Sequence, residues 1–143
     1  MGQKTVIYSN GSQQYLLTLP VLVNQTNEVK ALLDSGASAN FVHSDTARSM
    51  KLPTYPRKEP LSVTDVQGRS LGTVEHIAKA WLDVAHHREE IDFSIIPIGI
   101  HGLILGLPWL QKHNPDINWK EKTVKFSSPF CRWSCIRRAH ERP

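Results

Sequence analysis

The sequence predicts a mostly β domain with one or two short helices. Strand-length runs of apolar and β-branched residues recur along the chain, separated by Asn, Gly and Pro turns. Only residues 44–50 and 109–113 carry helix signals, and strands do not alternate with helices as they do in doubly wound folds. At 143 residues, with 40% apolar and 21% charged content, the chain has the size and composition of one globular domain.

Residues 1–14 are polar apart from the β-type patch Thr5-Val6-Ile7-Tyr8, and Asn10-Gly11-Ser12 reads as a turn. Residues 15–23 form a strand in which Pro20, with no N–H to give a ladder, marks an edge or a bulge. Asn24-Gln25-Thr26-Asn27 turns the chain, and residues 28–33 return to deliver Asp34. Asn40-Phe41-Val42 is a short strand. Ser44 is placed as the N-cap of a helix over 45–50, with Asp45 in its first turn and Pro53 and Pro56 beyond its end.

Leu61-Ser62-Val63-Thr64-Asp65-Val66 alternates apolar and polar residues, Gln67-Gly68 turns, and residues 69–74 return. Residues 77–84 and 91–98 are longer strands around a polar, solvated turn at 85–90, Ala85-His86-His87-Arg88-Glu89-Glu90. Leu103-Ile104-Leu105 is a buried strand, and Pro108 suits the first turn of a helix over 109–113. Residues 117–119 and 123–126 are short strands, and Trp109 and Trp119 are assigned to the core. Beyond Phe126 no structure is assigned.

One stretch carries chemistry: Ala31-Leu32-Leu33-Asp34-Ser35-Gly36-Ala37-Ser38. A carboxylate at the end of a buried strand is costly unless its charge is paired or used. Ser35 supplies a hydroxyl, and Gly36, lacking Cβ, lets the backbone turn and another chain come close. Asp-Ser-Gly is also ordinary turn chemistry, so the flanks decide. A second apolar run ending in glycine, Leu103-Ile104-Leu105-Gly106, lies downstream.

Together the two segments resemble the retroviral-type aspartic proteases, or retropepsins. Leu105-Gly106-Leu107-Pro108-Trp109-Leu110, followed by His113-Asn114-Pro115-Asp116-Ile117-Asn118-Trp119, is similar to proteases of gypsy-class retrotransposons, the sushi group and its domesticated vertebrate derivatives in particular. The resemblance runs from about residue 15 to residue 135. It implies a closed, barrel-like fold over 15–126, an N-terminal segment at 1–14 and a basic tail or linker at 127–143. It also makes the hairpin tip Val66, Gln67 and Gly68 a flap over bound peptide, with a single glycine where retroviral flaps have more.

The resemblance implies an aspartic endopeptidase that activates water at a pair of carboxyls. Two carboxyls about 3 Å apart share a proton and titrate as a pair, as aspartic proteases do generally. Asp45, Asp65, Asp83, Asp92 and Asp116 lack a following Ser/Thr-Gly, so this chain carries one such acid, Asp34. The dyad then requires a symmetric homodimer. Asp34 alternates as base and acid with its twin, while Ser35, Gly36, Ala37 and Ser38 support the loop. The expected substrate is a polypeptide, a Gag–Pol-like polyprotein. The alternative is a domesticated domain that keeps the fold but dimerises or binds without cutting.

No cofactor or metal is called for. Cys131, Cys135 and His140 give three ligands where a structural zinc wants four, and the adjacent His86 and His87 of a strand would face opposite ways. No apolar run approaches the roughly 20 residues of a membrane span, and Met-Gly-Gln-Lys-Thr lacks a signal core, so an intracellular, cytoplasmic location without membrane contact is expected. The net charge of +4 is mild. Arg132, Arg137, Arg138 and Arg142 make the tail basic, but it lacks interleaved aromatics on a defined platform, so nucleic acid is not expected as a partner.

Ala37 offers the dyad no hydroxyl, where pepsin-like lobes often have one. Losing a donor to an ionised carboxyl moves activity away from strong acid, so the rate should peak at about pH 5 to 6. A pH–rate profile peaking below about pH 3.5 would overturn this.

Overall fold

In the computed structural model, which describes residues 4–7, 17–84, 87–97 and 99–132, ten strands and two short helices follow one another. The strands are β1 (Lys4–Ile7), β2 (Leu17–Val23), β3 (Asn27–Leu33), β4 (Phe41–His43), β5 (Thr54–Thr64), β6 (Ser70–Val84), β7 (His87–Ile96), β8 (Leu103–Leu105), β9 (Asp116–Asn118) and β10 (Thr123–Lys125). Helix α1 (Ser44–Ser49) follows β4, and α2 (Leu107–His113) follows β8. The turn at 10–12, His86 and the cysteine, histidine and arginines beyond residue 132 lie outside the described residues. No described helix is long and apolar enough to cross a membrane.

The main sheet closes on itself. In the order β6-β2-β3-β8-β4-β7 each strand pairs with the next, and an antiparallel β6–β7 ladder completes the ring. Closure gives each of the six a neighbour on both sides along at least part of its length, which leaves only short stretches of exposed edge. β5 extends outward from β6, and β1 pairs with the far side of β5. The expected mostly β, barrel-like architecture with two short helices is what the chain adopts.

Local chemistry explains the connections. Asn24 and Gln25 take positive φ between β2 and β3, and the Asn24 carboxamide accepts the Trp81 N–H at 2.8 Å, tying the turn to β6. Pro20 sits in an unbroken β2–β3 ladder, opposite Lys30, while β2 meets β6 only at Leu22 and Val23. Its missing N–H therefore falls on an edge, not a bulge. The cap of α1 is His43 rather than Ser44: its Nδ1 accepts the Asp45 N–H at 3.0 Å, so Ser44 is already helical.

β5 begins seven residues before the expected Leu61, because its prolines obscure it. Between Pro56 and Leu61 the ladder to β6 shifts register, so Pro60 and its neighbours ride in a bulge where no ladder N–H is required. The expected strands at 69–74 and 77–84 are one strand, β6. Trp119 is 61% exposed, which corrects its assignment to the core, whereas Trp109 is buried.

Two apolar clusters fill the domain. One occupies the barrel and includes Leu33, Val42, Leu82, Phe93, Leu103 and Trp109. The other, built on Phe41, Ile96 and Ile104, joins Ala37 to Leu61, Val63 and Val74 at the base of the β5–β6 hairpin.

The largest departure from expectation is at 87–90, which is not a solvated turn. His87 and Glu89 are buried on one face of β7, two residues apart. The Glu89 carboxylate accepts the Trp109 indole N–H at 2.6 Å and the Lys112 ammonium at 3.0 Å, and its Oε1 lies 2.7 Å from His113 Nε2. Helix α2 is thereby fastened to the barrel through charge-assisted hydrogen bonds. Packing also continues past Phe126. Ser128 Oγ donates to the His113 carbonyl at 2.8 Å, and the buried, unbridged Cys131 thiol lies 3.3 Å from His113 Nδ1.

Burial alone would push the Glu89 carboxyl up; the donors His113 and Lys112 and the nearby His87 ring outweigh it and hold the carboxyl far below its usual 4.5. A folded-state pKa below the unfolded one means that ionised Glu89 favours folding. That stability is complete above about pH 4.5 and is lost as the pH falls toward the depressed value. Glu89→Gln should cost about 1.5–3 kcal/mol at pH 7 and flatten the acid limb of a melting-temperature profile. An acid limb as steep in the variant as in the parent would contradict this.

Candidate active site

Asp34 stands where β3 leaves the barrel. Its strand runs parallel to β8, with Leu33 opposite Leu105, and the Asp34 N–H continues that ladder to the Leu105 carbonyl at 3.0 Å. The loop then folds on itself: Ala37 N–H donates to the Asp34 carbonyl at 3.1 Å, and Gly36 N–H to Asp34 Oδ1 at 2.9 Å. The carboxylate is thus oriented by its own loop. Ser35, Gly36 and Ser38 are exposed, Asp34 is half-buried and Ala37 is fully buried.

Gly36 is not among the glycines of positive φ, which are Gly68, Gly72 and Gly99 among the described residues. Its turn is one that other residues could make, so what remains of the expected glycine argument is the absence of a side chain on an exposed surface. The glycine that sterics require is Gly106. A Cβ there would collide with the backbone carbonyl oxygen of Ala39 and approach that of Ala37 to 2.7 Å. Because it has none, Gly106 N–H reaches Asn40 Oδ1 at 2.9 Å and Leu107 N–H reaches the Ala37 carbonyl at 2.7 Å. Asn40 is a site residue that the sequence reading missed. It also accepts the Ser94 N–H through its carbonyl at 2.9 Å, so it links the acid loop to both β7 and Gly106.

Val66, Gln67 and Gly68 sit at the tip of the β5–β6 hairpin. Asp65 organises this tip: its Oδ1 accepts the N–H groups of Gln67 and Arg69, each at 2.9 Å, and its Oδ2 accepts Arg69 Nε at 2.7 Å. The Arg69 backbone N–H, foremost among these donors, holds the Asp65 carboxyl below its ordinary range. Gly68, at φ 84°, is the position a side chain would strain. The tip is a built turn, and its apolar residue, Val66, is 69% exposed.

A second group of ligand-type side chains is His87, Glu89 and His113, whose ligating atoms lie within 4.8 Å of one another. The His87 and His113 rings stack, with centroids 4.7 Å apart and planes at 25°. Metal–imidazole bonds lie in the ring plane and are about 2.0–2.1 Å long, so stacked rings do not converge on a shared ion. Oε1 of Glu89 already receives Trp109 and faces His113. The group is arranged as a hydrogen-bonded carboxylate.

An acid loop closed by a glycine turn from a parallel neighbouring strand, on a closed barrel with a projecting hairpin, defines the retroviral-protease fold. Solved structures agree. The retroviral protease-like domain of Ddi1 from Leishmania major matches with a TM-score of 0.53 and 24% identity, over 78% of this chain and 87% of that one. The EIAV protease, solved with the inhibitor HBY-793, matches with a TM-score of 0.57 and 20% identity, over 76% of this chain and 98% of that one. At the level of sequence, residues 30–135 match the PEG10/RTL1 protease domain model, and the chain belongs to that family.

Gly106→Ala should cost about 3 kcal/mol or more, because the new Cβ meets backbone rather than a flexible side chain. Urea denaturation reads this directly, and a variant as stable as the parent would show that the loop has room the structure denies it.

Proposed function

We propose that the protein is an aspartic endopeptidase that cleaves polypeptides, with a Gag–Pol-like polyprotein as the natural substrate, through a dyad of two Asp34 carboxyls in a homodimer. The observation that carries this reading is the placement of Asp34, half-buried and held by its own loop at the end of a barrel strand beside exposed Ser35 and Gly36. A two-fold axis through that exposed stretch would bring the carboxyls together as an isologous contact requires. One carboxylate takes a proton from water while the other, as the acid, donates to the scissile carbonyl.

Ser35 braces the paired loops, Ala37 anchors each loop in its apolar cluster, and Gly36 and Ser38 leave the surface low. The hairpin tip Val66-Gln67-Gly68 serves as the flap. Exposed Val66 and Leu107, the latter 38% exposed and bonded to the acid loop, supply apolar contact to peptide or partner. The proposed place of action is the cytoplasm. The same fold without cutting, as a domesticated dimerisation or binding domain, is the other outcome of the test below.

Cleavage of a polyprotein-derived peptide should rise faster than linearly with protein concentration while dimer is scarce, because each protomer holds half the dyad. Asp34→Asn should lower the rate roughly 100- to 10,000-fold. Cleavage unaffected by this substitution would sink the assignment, and a folded dimer that cuts nothing would support the binding role.

A further inference from the structure

In the ring of six, every strand has a neighbour on each side. β5 differs: the barrel meets only its β6 side, and its other edge faces away from the ring. An open strand edge offers a row of N–H and C=O groups to any extended peptide, whatever its side chains. This edge lies at residues 61–64, next to the Asp65 turn, and Leu61 and Val63 share an apolar cluster with Ala37 of the acid loop. A peptide added here would run beside the hairpin whose base packs on Ala37 of the acid loop.

In this structure the edge is taken by the chain itself. β1 lies along it in parallel, with Lys4 opposite Leu61, Thr5 opposite Ser62, Val6 opposite Val63 and Ile7 opposite Thr64. Four parallel pairs make a short ladder, and parallel pairing is the less stable kind per residue. Such a strand can leave at modest cost.

We propose that residues 4–7 are a built-in competitor of the extended peptides that the outer edge of β5 would receive by strand addition. Peptide binding then requires β1 to depart. The proposal deepens the endopeptidase reading and rests on it for its purpose, but its test does not depend on cleavage. If β1 is seated roughly nine-tenths of the time, the apparent affinity for peptide falls about tenfold.

The test uses the full-length, isotope-labelled Asp34→Asn protein and an unlabelled blocked peptide, acetyl-Lys-Thr-Val-Ile-Tyr-amide, which copies residues 4–8. Saturating peptide should release to fast hydrogen exchange those amides of residues 4–7 that bond to β5, while those within 61–64 stay protected. A companion protein also carries Thr5→Pro and Val6→Pro. Alternate residues of a parallel ladder bond across it, so two consecutive prolines remove whichever N–H is used. That protein should bind the peptide about tenfold more tightly than its parent.

Amides of 4–7 that remain protected in the presence of bound peptide would overturn the proposal. Equal affinity of the two proteins, or no binding by a double-proline protein that is folded, would do the same. Exchange in the unsubstituted segment decides the matter even if the prolines disturb folding. Separately, failure of the Asp34-intact protein to cut any peptide would sink the endopeptidase reading and leave these exchange results standing.

Discussion

The fold depends on the close approach of two backbone segments that carry no large side chains between them. Gly106 lies against the carbonyls of Ala37 and Ala39 at a separation that a single methyl group would forbid. That proximity permits three hydrogen bonds: Asp34 N–H to Leu105, Leu107 N–H to Ala37, and Gly106 N–H to the Asn40 carboxamide. Each bond gives a backbone N–H of the clasp a partner, that of buried Gly106 included. Together they fix where β3 ends, where α2 begins and how the acid loop is presented. The apolar cluster around Ala37 then holds the hairpin base over the same loop.

A second constraint works at the far side of α2. An apolar core in this region would be simpler, since taking a carboxylate out of water is costly. Glu89 is tolerated because it collects donors from three residues of one helix, Trp109, Lys112 and His113. The arrangement fixes the rotation of α2 about its own axis, and Gly106 stands at the N-cap of that helix. His87, buried against His113, makes no hydrogen bond within 3.5 Å through its ring nitrogens among the described residues, but its Nε2 lies 3.7 Å from Glu89 Oε1, so it adds packing and electrostatic support to the same carboxylate.

Much of this was legible in the sequence because its signals are local. The apolar run that stops at Asp34, the Leu-Ile-Leu-Gly segment and the Gln67-Gly68 turn each report their structure within a few residues. What was not legible depends on distant partners. His87 and Glu89 look like turn residues until α2, about two dozen positions later, supplies their neighbours. Asn40 looks like a loop residue until Gly106 arrives 66 positions on. The prolines of β5 concealed a strand because a bulge absorbs them, and Trp119 was misassigned because hydrophobicity alone does not say which side of a two-stranded turn faces water.

The parallel pairing of β3 with β8 has a consequence for the order of synthesis. The acid loop is encoded early, but the strand that completes it, and the glycine turn that clasps it, emerge about 70 residues later. A ribosome-bound chain that has not yet exposed residues 103–107 therefore has Asp34 and its own loop turn, but neither the Leu105 carbonyl nor the Gly106–Leu107 backbone that clasps that loop. Long-range parallel contacts are also the slowest to form. The clasped form of the acid loop is thus delayed until residues 103–107 have been made, a built-in lag between the synthesis of Asp34 and the completion of its surroundings.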